Sequence, residues 1–472
     1  MENLKNWSSS IWWRLKNVIS EERMRIVTRE GEMSRRQFYL AVLLVVVFWV
    51  ITLYPGFFSN DSLDQWSQAQ AHRYSTWHPI IMAVIWHYLA KVFGVGAFFI
   101  LNQVMYWFGL ALFVDVVLGR RLRYLLLAFF PPILMMSFNV WKDVACMTAL
   151  TLAVAFFLYW IEAKKTWWLI ASAVFLGYAS LVRLNGYIPA ATLVAVGTFC
   201  FCRGSFWKKI AVSLCLVLLL GGSVKVVSSL QNLIYKPHID HPLPTLMVWD
   251  IAGIYVNEEL SIKPPPVVHV TNEAKAATWL KDYNHYGCGI CWASGISCRN
   301  ESTAEDKALL KFWLKTVIEH PKAYLKHRWA LVKVLFGFQR RVYYPYQGFG
   351  QNHQVGGIFA PDPVGDAVYK LLNRRFHVLE VVGVFQPYVW ILVCVGVIVI
   401  AGWRQKSLSN MNKVAIAVAT SGITNAVSLA FLAVAADYRY MIWTVLAGVL
   451  SLVLILTHSA IKTPLHLSYE VV

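Results

Sequence analysis

Residues 79–93 read Pro-Ile-Ile-Met-Ala-Val-Ile-Trp-His-Tyr-Leu-Ala-Lys-Val-Phe, and whether they cross a membrane decides on which side every later loop falls. The stretch is apolar, but at 15 residues it is shorter than the ~20 a helix needs to span a ~30 Å hydrocarbon core, and it carries His87 and Lys91. If it crossed, Arg120, Arg121 and Arg123 would lie outside and each later loop would invert. That arrangement opposes the rule that short inner loops hold the excess of Lys and Arg. The stretch therefore reads as an interfacial or re-entrant helix on the outer leaflet.

Either side of it, apolar runs dominate. Of the chain, 58% is hydrophobic and only 14% charged, with a mean hydropathy of +0.51; soluble domains carry roughly 25% charged residues. The fold class is an all-α polytopic membrane protein with about ten transmembrane helices and an extracytoplasmic domain. The spans are expected near 37–54, 95–118, 122–138, 144–162, 166–183, 186–202, 209–230, 381–403, 413–434 and 440–458. The first lies too far from the start, behind too much charge, to be a cleaved signal peptide.

Sidedness follows from the basic residues. Arg14, Lys16, Arg23, Arg25, Arg29, Arg35 and Arg36 place the N-terminal tail in the cytoplasm, and every second connection is basic: Arg120 to Arg123, Lys164-Lys165, Arg203 with Lys208-Lys209, and Arg404 through Lys413. Both termini are then cytoplasmic. The net charge of +18 is a collar against anionic membrane lipids rather than a surface for nucleic acid. The domains are a basic tail at 1–36, with an interfacial helix on Trp7, Ile11, Trp12, Leu15, Val18 and Ile19, a transmembrane domain at 37–230 with an outer loop at 55–94, an extracytoplasmic domain at 231–380, three spans at 381–458 and a cytoplasmic tail at 459–472.

The extracytoplasmic domain opens on prolines 237, 242 and 244, contains Pro264-Pro265-Pro266, and continues in a charged helical pattern from Thr303 to about Phe336, with Ser302 or Thr303 as N-cap. A loop at Tyr343–Gly357 follows. Cys288, Cys291 and Cys298 cluster in the same domain, ahead of that charged pattern. On an oxidising face they suggest one local disulfide and one remaining thiol, with the pairing open.

Charge is nearly absent within the spans but recurs at their outer ends: Asp61, Asp64, His78, Lys142-Asp143, Arg183, and Asp437 with Arg439. Ionisable groups at the membrane edge are costly and read first as functional. Each also has a plainer reading as a helix cap, an interfacial anchor or an ion pair. Asp61 and Asp64 share a face if a helix starts there with Ser59 or Asn60 as cap. Together the loops would form a pocket of acids and bases suited to a lipid-linked phosphate and a proton to be removed.

The order of these segments resembles the GT-C superfamily of membrane glycosyltransferases. It runs from Pro55-Gly56-Phe57-Phe58-Ser59-Asn60-Asp61-Ser62-Leu63-Asp64 through Tyr74-Ser75-Thr76-Trp77-His78-Pro79, Trp141-Lys142-Asp143 and Val182-Arg183-Leu184-Asn185-Gly186 to Asp437-Tyr438-Arg439-Tyr440. The pattern is most similar to bacterial members that decorate O-antigen, including serotype-converting glucosyltransferases. It covers spans one to six and the last two; in the outer domain only Trp249-Asp250-Ile251-Ala252-Gly253 is a further match. The common signature has adjacent acids or acid-X-acid, whereas two residues separate Asp61 from Asp64 here, which leaves a divalent metal undecided.

The resemblance implies an inverting transferase of the bacterial inner membrane with its active site outside. Its donor is a polyprenyl-phosphate sugar and its acceptor a surface polysaccharide; no metal ligands are assigned. Asp61, with Asp64 as alternate, would be the catalytic base. Lys142, Arg183, Arg439 and His78 would hold the donor phosphate. Asp143, Asp437, Asn185 and Trp66 would orient substrate, and Trp77 and Trp141 could stack on sugar. Competing classes are an O-antigen polymerase or ligase using a diphosphate-linked glycan, with Arg340-Arg341 engaged, and a lipid-linked oligosaccharide transporter.

Overall fold

The computed structural model describes residues 31–260, 263–293, 295–298, 302–339, 363–379, 383–403 and 409–458. The expected N-terminal interfacial helix, Arg340-Arg341, the Tyr343–Gly357 loop, Arg404 and the tail at 459–472 lie outside these residues. Among those described, seven helical segments are long and apolar enough to cross a membrane: Arg35–Leu53, Ala97–Val117, Lys142–Ala163, Leu184–Phe201, Phe206–Tyr235, Asn410–Leu432 and Tyr438–Thr457. Three apolar helices are shorter: Ile80–Phe93, Thr166–Val182 and Pro387–Trp403. Among the described residues strand is confined to a two-residue antiparallel pair, His269–Val270 with Ile296–Ser297, and isolated bridges.

The first helix, α1 (Arg35–Leu53), starts at a capping box in which Ser34 and Gln37 satisfy each other's backbone amides. Both of its ends are pinned. Before its start, Met33 N–H donates to the Arg120 carbonyl at 2.9 Å, and Arg120 pairs with Glu32 and Asp115, each at 2.9 Å. Tyr39 and Tyr159 donate to the same Asp115 carboxylate. Past its finish, Phe57 N–H donates to Phe138 and Val140 N–H to Phe57. The bundle thus has an Arg120 end and an Asp61 end, and residues 121–139 run from the first to the second.

They do not do so as one helix. The span expected at 122–138 is a 3-10 segment (Leu122–Phe129) followed by the short α-helix Pro131–Ser137. Pro131-Pro132 supply no amide hydrogens and fix φ, so they can start a helix but not sit inside one. Neighbouring side chains satisfy the carbonyls around the break. The Tyr106 hydroxyl donates to Ala128 at 2.6 Å and Gln103 Nε2 to Ser137 at 2.7 Å, as irregular backbone buried in a bundle requires.

Residues 79–93 behave differently again. After helix α2 (Asn60–Ala71), α3 (Ile80–Phe93) starts beside Lys142 and ends where the Tyr54 hydroxyl donates to the Phe93 carbonyl at 2.9 Å. Both contacts are at the Asp61 end, so α3 returns to the end from which it started. From there α4 (Ala97–Val117) runs to the Arg120 end, and after the broken segment and α5 (Pro131–Ser137), α6 (Lys142–Ala163) runs the same way; α6 is the most buried of the long helices. Next come α7 (Thr166–Val182), α8 (Tyr187–Phe201) and α9 (Phe206–Tyr235). Helix α9 is nearly all exposed apolar surface, including Leu214, Leu218, Leu219, Leu233 and Ile234, as suits a lipid-facing helix.

Helices α10 (Leu243–Glu258), α11 (Thr303–Glu319) and α12 (Pro321–Leu335) pack around Trp249, Trp279, Leu309 and Leu331. The single charged helix expected from Thr303 to Phe336 is two. Ser302 caps the first with Glu305, and Pro321, lacking an amide hydrogen, starts the second. Cys291 and Cys298 form the disulfide, leaving Cys288 as the remaining thiol of the three. The chain closes with α13 (Pro363–Leu379), α14 (Pro387–Trp403), α15 (Asn410–Leu432) and α16 (Ile442–His458).

Candidate functional site

Ser59 organises the site. Its side chain accepts the Ser62 amide and so caps α2, while Trp141 Nε1 donates to its Oγ at 2.8 Å. Ser62 Oγ donates to the Val140 carbonyl at 2.7 Å. The start of α2 is thereby locked to the start of α6, and Asp61 and Asp64 occupy its first turns. Gly56, three residues after α1, has φ +91°, and a Cβ there would meet Phe99 at 2.7 Å; only glycine admits this approach.

His78 lies between the acids and Lys142. Lys142 Nζ is 2.6 Å from His78 Nδ1, while His78 Nε2 is 3.7 Å from Asp64 Oδ2 and 4.0 Å from Asp61 Oδ1. A lysine ammonium can only donate, so Nδ1 accepts and the ring proton sits on Nε2, directed at the carboxylates. Gln68 Nε2 donates to Asp64 Oδ2 at 2.8 Å.

From the far end of the sequence, Asp437 caps a 3-10 turn, Tyr438–Met441. Arg439 forms ion pairs through Nε with Asp437 Oδ2 and through Nη1 with Asp61 Oδ2, each at 2.8 Å. Its guanidinium lies 5.2 Å from the centre of the Trp141 ring and 5.3 Å from that of Tyr440, favourable positions for a cation. Burial opposes ionisation of Asp61, but the Arg439 and Lys142 cations outweigh it and hold the carboxyl down at about 2. For Asp437, burial outweighs the attraction of Arg439 and pushes its carboxyl up.

Arg183 is differently placed. Its Nη1 is 2.6 Å from Asp143 Oδ1 in a pair almost wholly buried, and its guanidinium lies 4.9 Å from the Tyr440 ring centre. The Tyr440 ring therefore contacts both guanidinium groups. Arg183 and Asp143 support the site rather than line it, because their charges are turned on one another.

Six of the expected residues thus converge: Asp61, Asp64, His78, Lys142, Asp437 and Arg439. Trp66 packs against Trp86 with ring centres 5.3 Å apart, on the core side of α2 and away from the charges. Asn185 is half-buried in the 3-10 turn Leu184–Gly186, and no side-chain bond ties it to the cluster. One face of Trp141 is taken up by Arg439. Among the described residues no group of three or more His, Cys, Asp or Glu side chains is placed to hold a metal ion.

No family model, curated protein or solved structure matches this chain.

A second network escaped the sequence reading. In the domain of α10, α11 and α12, Asp250 pairs with Arg328 Nη2 at 2.6 Å and accepts from Trp313 Nε1 at 3.0 Å, with His327 Nε2 3.1 Å away. The Tyr283 hydroxyl is 2.7 Å from His327 Nδ1. Arg328 Nη1 also donates to the Ala433 carbonyl at 2.8 Å. Beside it, Cys288 N–H donates to Val434 and Ala436 N–H to Tyr286. The domain thus grips 433–436, the segment leading directly into Asp437 and Arg439. The one available signal was Asp250 within the apolar run Leu246–Ile254; His327 and Arg328 sit in a charged helix and look like surface residues.

Proposed function

We propose that this protein is a membrane glycosyltransferase that moves a sugar from a polyprenyl-phosphate donor to a surface polysaccharide, O-antigen-like, on the extracytoplasmic face of the bacterial inner membrane. One observation carries this reading: Asp61, Asp64, His78, Lys142 and Arg439, contributed by four separate segments, meet at one end of a helical bundle. In the corresponding topology the chain crosses ten times. The seven long helices are joined by Thr166–Val182, Pro387–Trp403 and the broken segment 122–138, while α3 stays at the outer surface.

The chemistry divides among these groups. An acceptor hydroxyl attacks the anomeric carbon, the bond from that carbon to the phosphate oxygen breaks, and the lipid phosphate departs with the electron pair. Asp61 takes the hydroxyl proton. Arg439 and Lys142 face the charge that develops on the phosphate, where a fixed cation at a low-dielectric boundary acts more strongly than in water. Arg439 is paired with Asp61. A donor phosphate that takes up Arg439 loosens this pair, so the carboxylate becomes a stronger base once the donor is present. Asp437 keeps Arg439 in place during the exchange, and the outer domain receives the acceptor.

The test is Asp61→Asn in cells that display the polysaccharide. Loss of a side-branch sugar with normal expression and chain length is expected. Normal decoration by well-expressed variant protein overturns the assignment of the base, and unchanged branching with shortened chains assigns the protein as a polymerase instead.

A further inference from the structure

At the Arg120 end of the bundle, far from the acidic cluster, two cavities adjoin. One, of about 550 Å³, lies among α6, α7, α8, α9 and α15 and is lined by apolar side chains such as Phe157, Leu176, Leu193, Leu220 and Val418. Of its lining hydroxyls, Ser172 donates to Ala153 and Ser223 to Leu219. Gly177 and Gly197 both line it, and a Cβ added to either meets nothing within 4 Å. The second cavity, of about 450 Å³, shares Phe201 and Cys202 with the first and is bordered by Arg203, Lys209 and Lys413.

The three cations converge on one opening. Lys209 lies over the Phe199 ring at 5.4 Å and Lys413 over the Phe201 ring at 5.1 Å, so both ammonium groups are held at the rim. Among the described residues none of the three has an acidic partner. Just beyond the cup, Phe206 and Trp207 are well exposed, as aromatic residues at a membrane interface are. An apolar slot that opens into a basic cup between membrane helices has the two halves of an anionic lipid's chemistry.

We propose that this paired cavity binds one anionic phospholipid of the surrounding leaflet. Its phosphate sits among Arg203, Lys209 and Lys413, and one acyl chain occupies the apolar slot. The chain would fill the space between α9, which has little protein packing of its own, and α6 and α15, so the lipid joins α9 to the bundle. The site is separate from the proposed donor site, because the acidic cluster lies at the opposite end and one phosphate cannot serve both. The inference therefore does not depend on the proposed glycosyl transfer.

The experiment uses the full chain, purified in detergent and stripped of lipid, with dioleoyl phosphatidylglycerol and dioleoyl phosphatidylcholine as probes. Lipid retention is read by native mass spectrometry and stability by thermal unfolding. One phosphatidylglycerol per chain, bound at least tenfold more tightly than phosphatidylcholine and raising the unfolding temperature, is expected. The triple variant Arg203→Gln, Lys209→Gln, Lys413→Gln should lose that preference. Gly197→Leu, which fills the slot but keeps the cup, should weaken phosphatidylglycerol severalfold and serves if the triple variant does not fold. Equal retention of the two lipids, or full retention by either variant, overturns the proposal. Preferential displacement of phosphatidylglycerol by polyprenyl phosphate also overturns it and assigns the cup to the donor lipid.

Discussion

Arg439 Nη1 lies 2.8 Å from Asp61 Oδ2, joining the start of the last long helical segment to the first helix after α1. The contact closes the bundle at one end and brings a strong cation onto the carboxylate proposed as base. Trp141 and Tyr440 flank the guanidinium and Asp437 holds its other edge, so Arg439 is positioned whether or not Asp61 is its partner.

Replacing Arg439 with Gln removes the largest attraction on the Asp61 carboxylate while burial, which favours the neutral acid, remains. The acid limb of the pH–rate profile should move upward, and turnover should fall about 10²–10³-fold, as on loss of a transition-state charge donor. Transfer of labelled sugar measured across pH checks this. An unmoved limb would show that Asp61 is not the titrating base.

The same ion pair makes stability depend on pH with a definite sign. The folded-state carboxyl of Asp61 is held at about 2, below its ordinary value of 3.8. Its contribution is therefore fully present above pH 3.8 and is lost as pH falls toward 2. Asp61→Asn should flatten thermal stability against pH in that window, relative to the parent protein, and leave the curve above it parallel.

Removing one member of the buried Arg183–Asp143 pair leaves an uncompensated charge. Asp143→Ala should destabilise by about 3–5 kcal/mol, and the double variant with Arg183→Met should recover much of the loss. A double-mutant cycle by thermal unfolding reads the coupling. Strictly additive losses would show that the two charges do not depend on each other.

Arg328→Met removes the donor to the Ala433 carbonyl and one partner of buried Asp250. Hydrogen exchange at 433–439 should quicken, and transfer should weaken even at temperatures where the variant remains folded. Unchanged exchange in that segment would show that the domain does not hold the Asp437–Arg439 turn.

Cys288 should be the only one of the three clustered cysteines to alkylate without reductant. Burial pushes its thiol up to about 11, so reaction near neutral pH should be slow until the domain is unfolded. Mass mapping after alkylation checks both points. In intact cells a cysteine introduced near Arg120 should label from the opposite side of the membrane to one introduced in the domain.

Much of the local architecture was legible in residue order, because it depends on neighbours in the chain. The Ser302 cap, the apolar helices and the shortness of 79–93 all follow from sequence within one or two turns. Hydropathy averaged over 122–138 gave one unbroken helix because it weighs apolarity and not the amide hydrogens that Pro131 and Pro132 lack. The alignment of Asp61 with Asp64 follows from helical spacing once Ser59 caps the turn. Which cation meets which acid does not: Arg439 reaches Asp61, Arg183 turns to Asp143, and Trp66 turns into the core. His327 and Arg328 look like members of a solvated helix until Asp250 is brought against them from another element. By itself the sequence determined where helices start, stop and run apolar, because those energies are local. Only the tertiary structure decided how the charges pair, since an ion pair depends on a few ångströms of separation between elements far apart in the chain.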